Sequence, residues 1–450
     1  MRIIVVGIGK LGDYLSKILV KEKHDVTVID TNFINHEELI NNEDLNYIEG
    51  NALDSNVLVE AGVNEADLLV SVMEKDEQNI MCSLMAKKLG AKHTIARIRK
   101  PEYNSAINIL KEDIGLSLTI NPEKMAAEYI ARALNIPSAL NTTTFYRGRI
   151  HMISLKIKEE GILCGLTINE LGKKLKRSII CAIERNNEVI IPGGTTKIEK
   201  NDKIYVSGTQ KEINNFLRYT KLITHKTKKV FISGGTETAF YLAKILLEIG
   251  MEVRLIDIDE ERCKYLSEKL PEALIINGDV SNKNLLYEEG IDECDAFVAL
   301  NSVDEQNIIY SMFASSINIP KIITKINHIK LDEVIKSANI DNIITPHKIA
   351  TNQIVKYVRA MENSGSSSCE AIYKFNNETF EMVEFNVKND FKKLNVPIKE
   401  LKLREGILIA VIVREKNIII PNGNDCIKNG DTIVVADNND LVRKINDILE

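Results

Sequence analysis

MRIIVVGIGKLGDYLSKILVKEKHDVTVID, residues 1–30, reads as a buried strand, a glycine-rich turn, a helix and a second strand that ends on an acid. Gly7, Gly9 and Gly12 give the G-x-G-x-x-G spacing directly after the apolar run 3–6, and Asp30 closes the next apolar run, 26–29. Each glycine has its own duty. Gly7 permits the tight turn out of the strand, Gly9 lacks a Cβ so that a pyrophosphate approaches the backbone, and Gly12 lets the helix lie close on the sheet. With Ile8, Lys10 and Leu11 they form a turn whose amides, at the start of a helix, face phosphates. Asp30 is placed to accept hydrogen bonds from the ribose hydroxyls of an adenosine, with Thr31 beside it. Neither Thr31 nor Asn32 offers a cation for a 2′-phosphate, so NAD(H) or an adenine nucleotide such as ATP or ADP is favoured over NADP(H).

Around that opening, composition removes several classes of function. At 450 residues the chain has room for three or four domains. Lys+Arg 58 against Asp+Glu 64 gives a net charge of −6, which argues against a nucleic-acid footprint, and no basic stripe with interleaved aromatics appears. Apolar runs stop far short of a membrane span, and the N-terminus enters a strand directly, so the expectation is a chain neither exported nor itself membrane-embedded. Seven cysteines, odd in number and never in C-x-x-C pairs, read as reduced core thiols; the seven histidines show no metal-ligand spacing.

Further along, strand and helix alternate to about residue 135. A helix is expected near 35–42, a strand at 46–49, a turn at 50–54, a helix at 56–61, a strand at 67–73, a loop EKDEQN feeding a helix at 78–89, a strand at 93–98 and, after Pro122, a helix at 123–134. Such alternation means a parallel sheet covered by helices on both faces, with ligands outside the carboxyl ends of its strands. Asn51, Ala52, Met73, Glu74 and Arg97 fall at such ends. From about 138 to 220, HMISLKI, SIICAIERNNEVIIP and DKIYVSG read as strands interrupted by one small helix, a compact α+β module.

The chain then repeats itself. Residues 228–257 match the opening, with Gly234 at the place of Gly7 and Asp257 at the place of Asp30. Residues 290–312 match 62–84 and share D-E-Q-N at 76–79 and 304–307; IIPGG with Asp202 returns as IIPNG with Asp431. The whole is a duplication of a two-domain unit. The boundaries read 1–137, 138–222, 228–361 and 371–450, with joins near 136–145, at 224–229 and at the Gly/Ser-rich 362–370. The fold class is therefore α/β: two Rossmann-like doubly wound parallel-sheet domains, each followed by a small α+β module.

On these motifs the chain resembles the Trk potassium uptake protein A (TrkA) family, cytosolic subunits built of tandem RCK domains (KTN plus TrkA-C). The resemblance implies no enzymatic activity. It implies a partner, a membrane-embedded Trk-type potassium transporter subunit, gated according to bound NAD(H), ATP or ADP. It also implies a homo-oligomer of two or four chains, cytoplasmic and peripheral on the inner face of the cell membrane through that partner. Carried over by residue, Gly7, Gly9 and Gly12 form the phosphate turn and Asp30 the ribose contact. Asn51 lies near the adenosine, while Arg97, with Arg99 as a second candidate, faces the phosphates.

Two departures from the family pattern matter. Gly50-Asn51-Ala52 stands where Gly-Asp-Ala is common, whereas the second half keeps the acid as Asp279. In the second turn Thr236 replaces the middle glycine, and its branched Cβ obstructs a pyrophosphate; Ala239 is an accepted third residue, and Lys325 replaces Arg97. A second nucleotide site, built from Gly234, Asp257, Asp279 and Lys325, and a degenerate scaffold copy both stay open. Structural ion pairs are the plain alternative for Arg97 and Arg99, and helix capping accounts for the D-E-Q-N segments without a ligand. An NAD-dependent oxidoreductase is the competing function, weakened because the second half is another copy of the first and shows no His-acid or Lys-acid pair.

Overall fold

RIIVV forms β1 (Arg2–Val6), in which every residue after Arg2 is buried. An unbroken apolar run of this kind, rather than an alternating one, is what a parallel strand covered on both faces requires. The computed structural model describes the chain apart from residues 33–44, 101, 104–114, 136–140, 147, 158, 160, 176, 187, 222–226, 328–339, 341, 363–368, 376–379, 439–441 and 443. The helix expected at 35–42 lies outside the described residues, as do residues 136–140 of the join at 136–145, 224–226 of that at 224–229 and 363–368 of that at 362–370.

After β1 come α1 (Lys10–Lys21), β2 (Asp25–Asp30), β3 (Leu45–Glu49), α2 (Ser55–Glu60), β4 (Leu68–Ser71), α3 (Asp76–Leu89), β5 (His93–Arg97), β6 (Leu118–Ile120) and α4 (Pro122–Asn135). The six strands pair in parallel in the order β3-β2-β1-β4-β5-β6, the doubly wound arrangement. The helix expected from residue 78 begins at Asp76, so D-E-Q-N is its first turn and not a loop.

The small module follows as β7 (Asn141–Phe145), β8 (Ile150–Lys156), α5 (Ile168–Lys174), β9 (Ser178–Arg185), β10 (Glu188–Ile190), β11 (Lys203–Thr209) and α6 (Gln210–Tyr219). Its antiparallel sheet runs β10-β9-β11-β8-β7. The helix α6 is absent from the sequence reading, although Thr209 and Glu212 form a reciprocal capping box at its start, a signal legible as T-x-x-E.

The second half repeats both units. Its parallel sheet comprises β12 (Lys229–Ser233), β13 (Glu252–Asp257), β14 (Leu274–Asn277), β15 (Ala296–Ala299), β16 (Lys321–Lys325) and β17 (Ile343–Ile344), ordered β14-β13-β12-β15-β16-β17. Its helices are α7 (Glu237–Glu248), α8 (Glu260–Lys269), α9 (Lys283–Glu288), α10 (Asp304–Ser316) and α11 (Pro346–Glu362). The closing module holds β18 (Cys369–Phe375), β19 (Phe380–Asn386), β20 (Ile407–Arg414), β21 (Asn417–Ile419) and β22 (Thr432–Asp437) in the order β18-β19-β22-β20-β21. Residues 369–370, read from sequence as linker, belong to β18.

The halves are joined by an exchange of helices. Ala126, Ala127, Ile130 and Leu134 of α4 pack into the core of the second sheet, with Val230, Ile232 and Leu242. In return Ala350, Ile354, Val355 and Val358 of α11 pack into the core of the first, with Leu15, Leu19 and Val28. Polar contacts secure both crossings. Arg359 is buried in a two-pronged ion pair with Glu22, its Nε 2.7 Å from Oε2, and Tyr357 Oη lies 3.1 Å from His93 Nδ1. On the other side Lys321, the counterpart of His93, donates to the carbonyl of Ala133, and burial pushes its ammonium down to about 7. The small modules also meet, Phe145, Met152 and Tyr205 packing with Phe380, Met382 and Val434.

Candidate functional site

Gly7 ends β1 at φ +92°, a conformation that favours glycine, and a Cβ there would stand 3.0 Å from Met73 N. A Cβ on Gly12 would fall 1.8 Å from the carbonyl oxygen of Gly7, so α1 starts as close to the turn as it does only because that atom is missing. Gly9 differs. Its φ of −59° suits any residue, and an added Cβ meets nothing within 4 Å among the described residues. The protein itself requires the first and third glycines; it makes no demand for the second.

Gly9 is the N-cap of α1 and gives no side-chain cap, and both it and Lys10 are exposed. Among the described residues no side chain caps the first-turn amides of α1, which point out beyond the carboxyl end of the sheet. Asp30 closes one flank: its Oδ2 accepts from Ile8 N at 2.7 Å and its Oδ1 from Asn32 N at 3.1 Å, with Thr31 Oγ1 at 3.5 Å. Ile8 and Leu11 turn their side chains into the core, so only their backbone belongs to the turn. Asn51 is exposed and accepts from Leu53 N at 3.0 Å, while Ala52 is buried under the sheet and away from the turn.

Arg97 lies at the end of β5, largely buried, with Nη2 3.6 Å from Glu123 Oε1 in the first turn of α4. Burial draws its guanidinium below the ordinary value while Glu123 opposes that shift. Arg99 folds back instead: it donates to the carbonyl of Glu74, and its Nε is 3.7 Å from Asp76 Oδ1. Its carbonyl accepts from Asn121 Nδ2 at 2.9 Å and, across the half boundary, from Tyr241 Oη at 2.6 Å.

The D-E-Q-N segment corrects the capping reading. Lys75 and Val303 are the N-cap residues of α3 and α10, with no side-chain cap bond in either. The buried Asn79 instead ties two strand ends together: Oδ1 accepts from Ser71 Oγ at 2.9 Å and Met73 N at 2.7 Å, and Nδ2 donates to the carbonyls of Met73 and Arg97 at 3.0 Å each. Asn307 repeats this with Asn301 and Lys325. Asp76 accepts from the amides of Arg99 and Lys100 at 2.8 Å each, and Asp304 does the same for Asn327 N at 2.9 Å. The segment holds the floor of the turn in place, a role that sequence reasoning did not find.

The second turn has the same backbone under different side chains. Gly234 has φ +93°, and Thr236, at φ −66° and ψ 171°, follows the path of Gly9 at −59° and −177°. Asp257 accepts from Gly235 N and, at 2.8 Å, from Asp259 N. Asp279 accepts from Ser281 N at 2.8 Å, as Asn51 does from Leu53. Thr236 Oγ1 and Lys325 Nζ both donate to the carbonyl of Leu300, at 3.0 Å each. Burial pushes Lys325 down to about 8, with Asp304 and Glu123 resisting.

Searches against known proteins place this geometry among relatives. The TrkA-N domain family matches residues 3–122 and 230–346, and the TrkA-C domain family matches 152–221 and 382–450. The Trk system potassium uptake protein TrkA of Haemophilus influenzae is 32% identical over 440 residues, covering 97% of this chain and 95% of that one. A TrkA homolog of Archaeoglobus fulgidus is 29% identical over 448 residues, covering both chains fully. Among solved structures, the GsuK RCK domain covers 97% of this chain, and 92% of its own, at a TM-score of 0.63 and 17% identity. A GsuK channel bound to NAD gives 0.63 at 18% identity, covering 97% and 76%. GsuK bound to ADP gives 0.51 at 14%, covering 79% and 69%. At such identities the likeness is one of fold.

Proposed function

The chain belongs to the TrkA family of Trk potassium uptake systems, and we propose that it binds NAD(H) or ATP/ADP at the turn from Gly7 to Gly12 and thereby gates a membrane-embedded Trk-type potassium transporter subunit. The family is one of non-enzymatic regulatory subunits, which disposes of the oxidoreductase reading. The observation that carries the nucleotide is the uncapped, exposed start of α1 beside Asp30, where Gly9 answers to no contact within the described protein. That a GsuK channel is found with NAD, and GsuK also with ADP, supports the choice of ligand class.

In this reading Gly7, Gly9, Lys10 and Gly12 cradle phosphates, Asp30 and Thr31 hold a ribose, Asn51 borders the adenosine and Arg97 faces the phosphates. Leu11 and Met73 shape the turn from beneath, whereas Ala52 lies in the core below the sheet. Domains 1–137 and 228–361 bear the glycine turns, and 138–222 and 371–450 are the small modules. Among the described residues no helix is long and apolar enough to cross a membrane. By its family membership we take the chain to act on its partner from the cytoplasmic face, as a homo-oligomer of two or four copies. Binding changes the partner only through a difference in affinity between two states, with couplings of about 1 to 3 kcal/mol typical. Potassium flux through the reconstituted transporter, measured with each nucleotide, tests the proposal. Flux should change with at least one of NADH, NAD, ATP and ADP; flux indifferent to all four, with binding verified by calorimetry, sinks it.

A further inference from the structure

Among the described residues, the second glycine turn carries an ion pair of its own over it. Glu237 is the first residue of α7, at the place Lys10 holds in α1, so the second helix start carries its own carboxylate. Arg262, on α8, reaches back over the turn. Its Nε donates to the carbonyl of Gly235, and its Nη1 lies 3.2 Å from Glu237 Oε1. The remaining atoms of the pair, Nη2 of Arg262 and Oε2 of Glu237, are buried and have no hydrogen-bond partner among the described residues, so removing either side chain strands the other. Leu266 and Arg262 press on Gly235 itself: an added Cβ would meet Leu266 Cδ1 at 2.9 Å and Arg262 Cγ at 3.2 Å. Beneath them, Thr236 and Lys325 spend their donors on the carbonyl of Leu300. Gly9 and Lys10 are exposed; Thr236 and Glu237 are half-buried.

We propose that the second half is a self-occupied copy of the sensor, in which the Glu237 carboxylate, held by Arg262, stands at the helix start where the first half has the exposed Lys10 and, on the nucleotide reading, takes a ligand's phosphates. An acid in the first turn of a helix is favoured by the same macrodipole that would draw a phosphate, and a bound phosphate group would meet it as a like charge. Thr236 adds a branched Cβ where the backbone of Gly9 is bare. Each chain therefore takes up one nucleotide, at the first turn, and the second half supplies a fixed surface against which the first responds. This rests on the nucleotide reading of the first turn.

Calorimetric titration of the full-length chain with NADH, ATP and ADP decides it. Wild type should bind one nucleotide per chain. Asp30→Ala should bind none, Asp257→Ala should still bind one, and the triple variant Thr236→Gly, Glu237→Lys, Arg262→Ala should bind two. Occupancy of the first site in the triple variant reports that it has folded; if that site is lost, the wild-type and Asp257→Ala arms decide alone. Two nucleotides per wild-type chain, one of them lost in Asp257→Ala, overturn self-occupation and leave the first-turn proposal standing. A folded triple variant that still binds only one also overturns it. No binding by wild type at millimolar nucleotide overturns both.

Discussion

Two turns in one chain follow the same backbone path, Gly9 at φ −59° and ψ −177° and Thr236 at −66° and 171°, and carry different side chains. The preceding glycines, Gly7 and Gly234, share φ of +92° and +93°, and both press against the strand next door. Residues kept in both halves answer to the fold, because a Cβ at either position would strike backbone. The residue that changes answers to whatever occupies the space above. The comparison separates glycine needed for chain geometry from glycine needed for a ligand, which the G-x-G-x-x-G pattern does not do by itself.

The shared floor should fail equally in both halves. Asn79→Ala and Asn307→Ala each strand several buried strand-end groups, and each should cost about 3 to 5 kcal/mol in denaturant unfolding. A large loss from one and a negligible loss from the other would break the claim of a common scaffold. Next in size is the third position. Gly12→Ala forces a Cβ into the carbonyl of Gly7 and should cost about 3 kcal/mol together with nucleotide binding, whereas Ala239→Gly should cost only about 1 kcal/mol. Equal costs would mean that the two helix starts are equally close.

Gly9→Thr sharpens the contrast further. Stability should stay within about 0.5 kcal/mol, since the backbone and the surrounding space accept the side chain. Nucleotide affinity should fall about tenfold or more, near 1.4 kcal/mol, by calorimetry. An unchanged affinity would take the ligand away from this face of the turn. The smallest effect concerns the helix crossings. Burial, with Lys87 nearby, holds the His93 imidazole below its ordinary 6.5. The unfolded chain therefore takes up that proton first, and stability should drop as pH falls below about 6.5. His93→Gln should flatten this slope in pH-dependent thermal melts; Lys321, its counterpart, pushed down to about 7, lowers stability from higher pH downward, and that loss levels off below about 7. A slope unchanged in His93→Gln would remove the histidine from the account.

The doubly wound sheets were legible because their signals are local: an apolar run of four, three glycines at fixed spacing, and an acid closing the next strand. The duplication was legible because D-E-Q-N returns intact. The work that segment does was not, since Asn79 bonds to Ser71, Met73 and Arg97, ends of strands that only the folded sheet brings together. Glu237 in place of Lys10 stands in plain view once the halves are aligned, but its meaning depends on Arg262, reaching in from another helix. Nothing in PEKMAAEYIARALN says which of two equivalent sheets its apolar stripe will cover. Periodicity predicts that a helix has a buried face; it does not name the partner.

Glu22 and Arg359 lie 337 residues apart in the chain and form one buried pair. At ordinary rates of synthesis the first sheet leaves the ribosome on the order of half a minute before the helix that covers it. During that interval the apolar surface later sealed by Ala350, Ile354 and Val358 is open to solvent, to chaperones or to the same surface on a neighbouring nascent chain. Contacts of such separation make folding slow and mutually dependent. A truncation that removes α11 would accordingly expose a sheet some 300 residues upstream, so damage near the C-terminus should surface as aggregation of the N-terminal half.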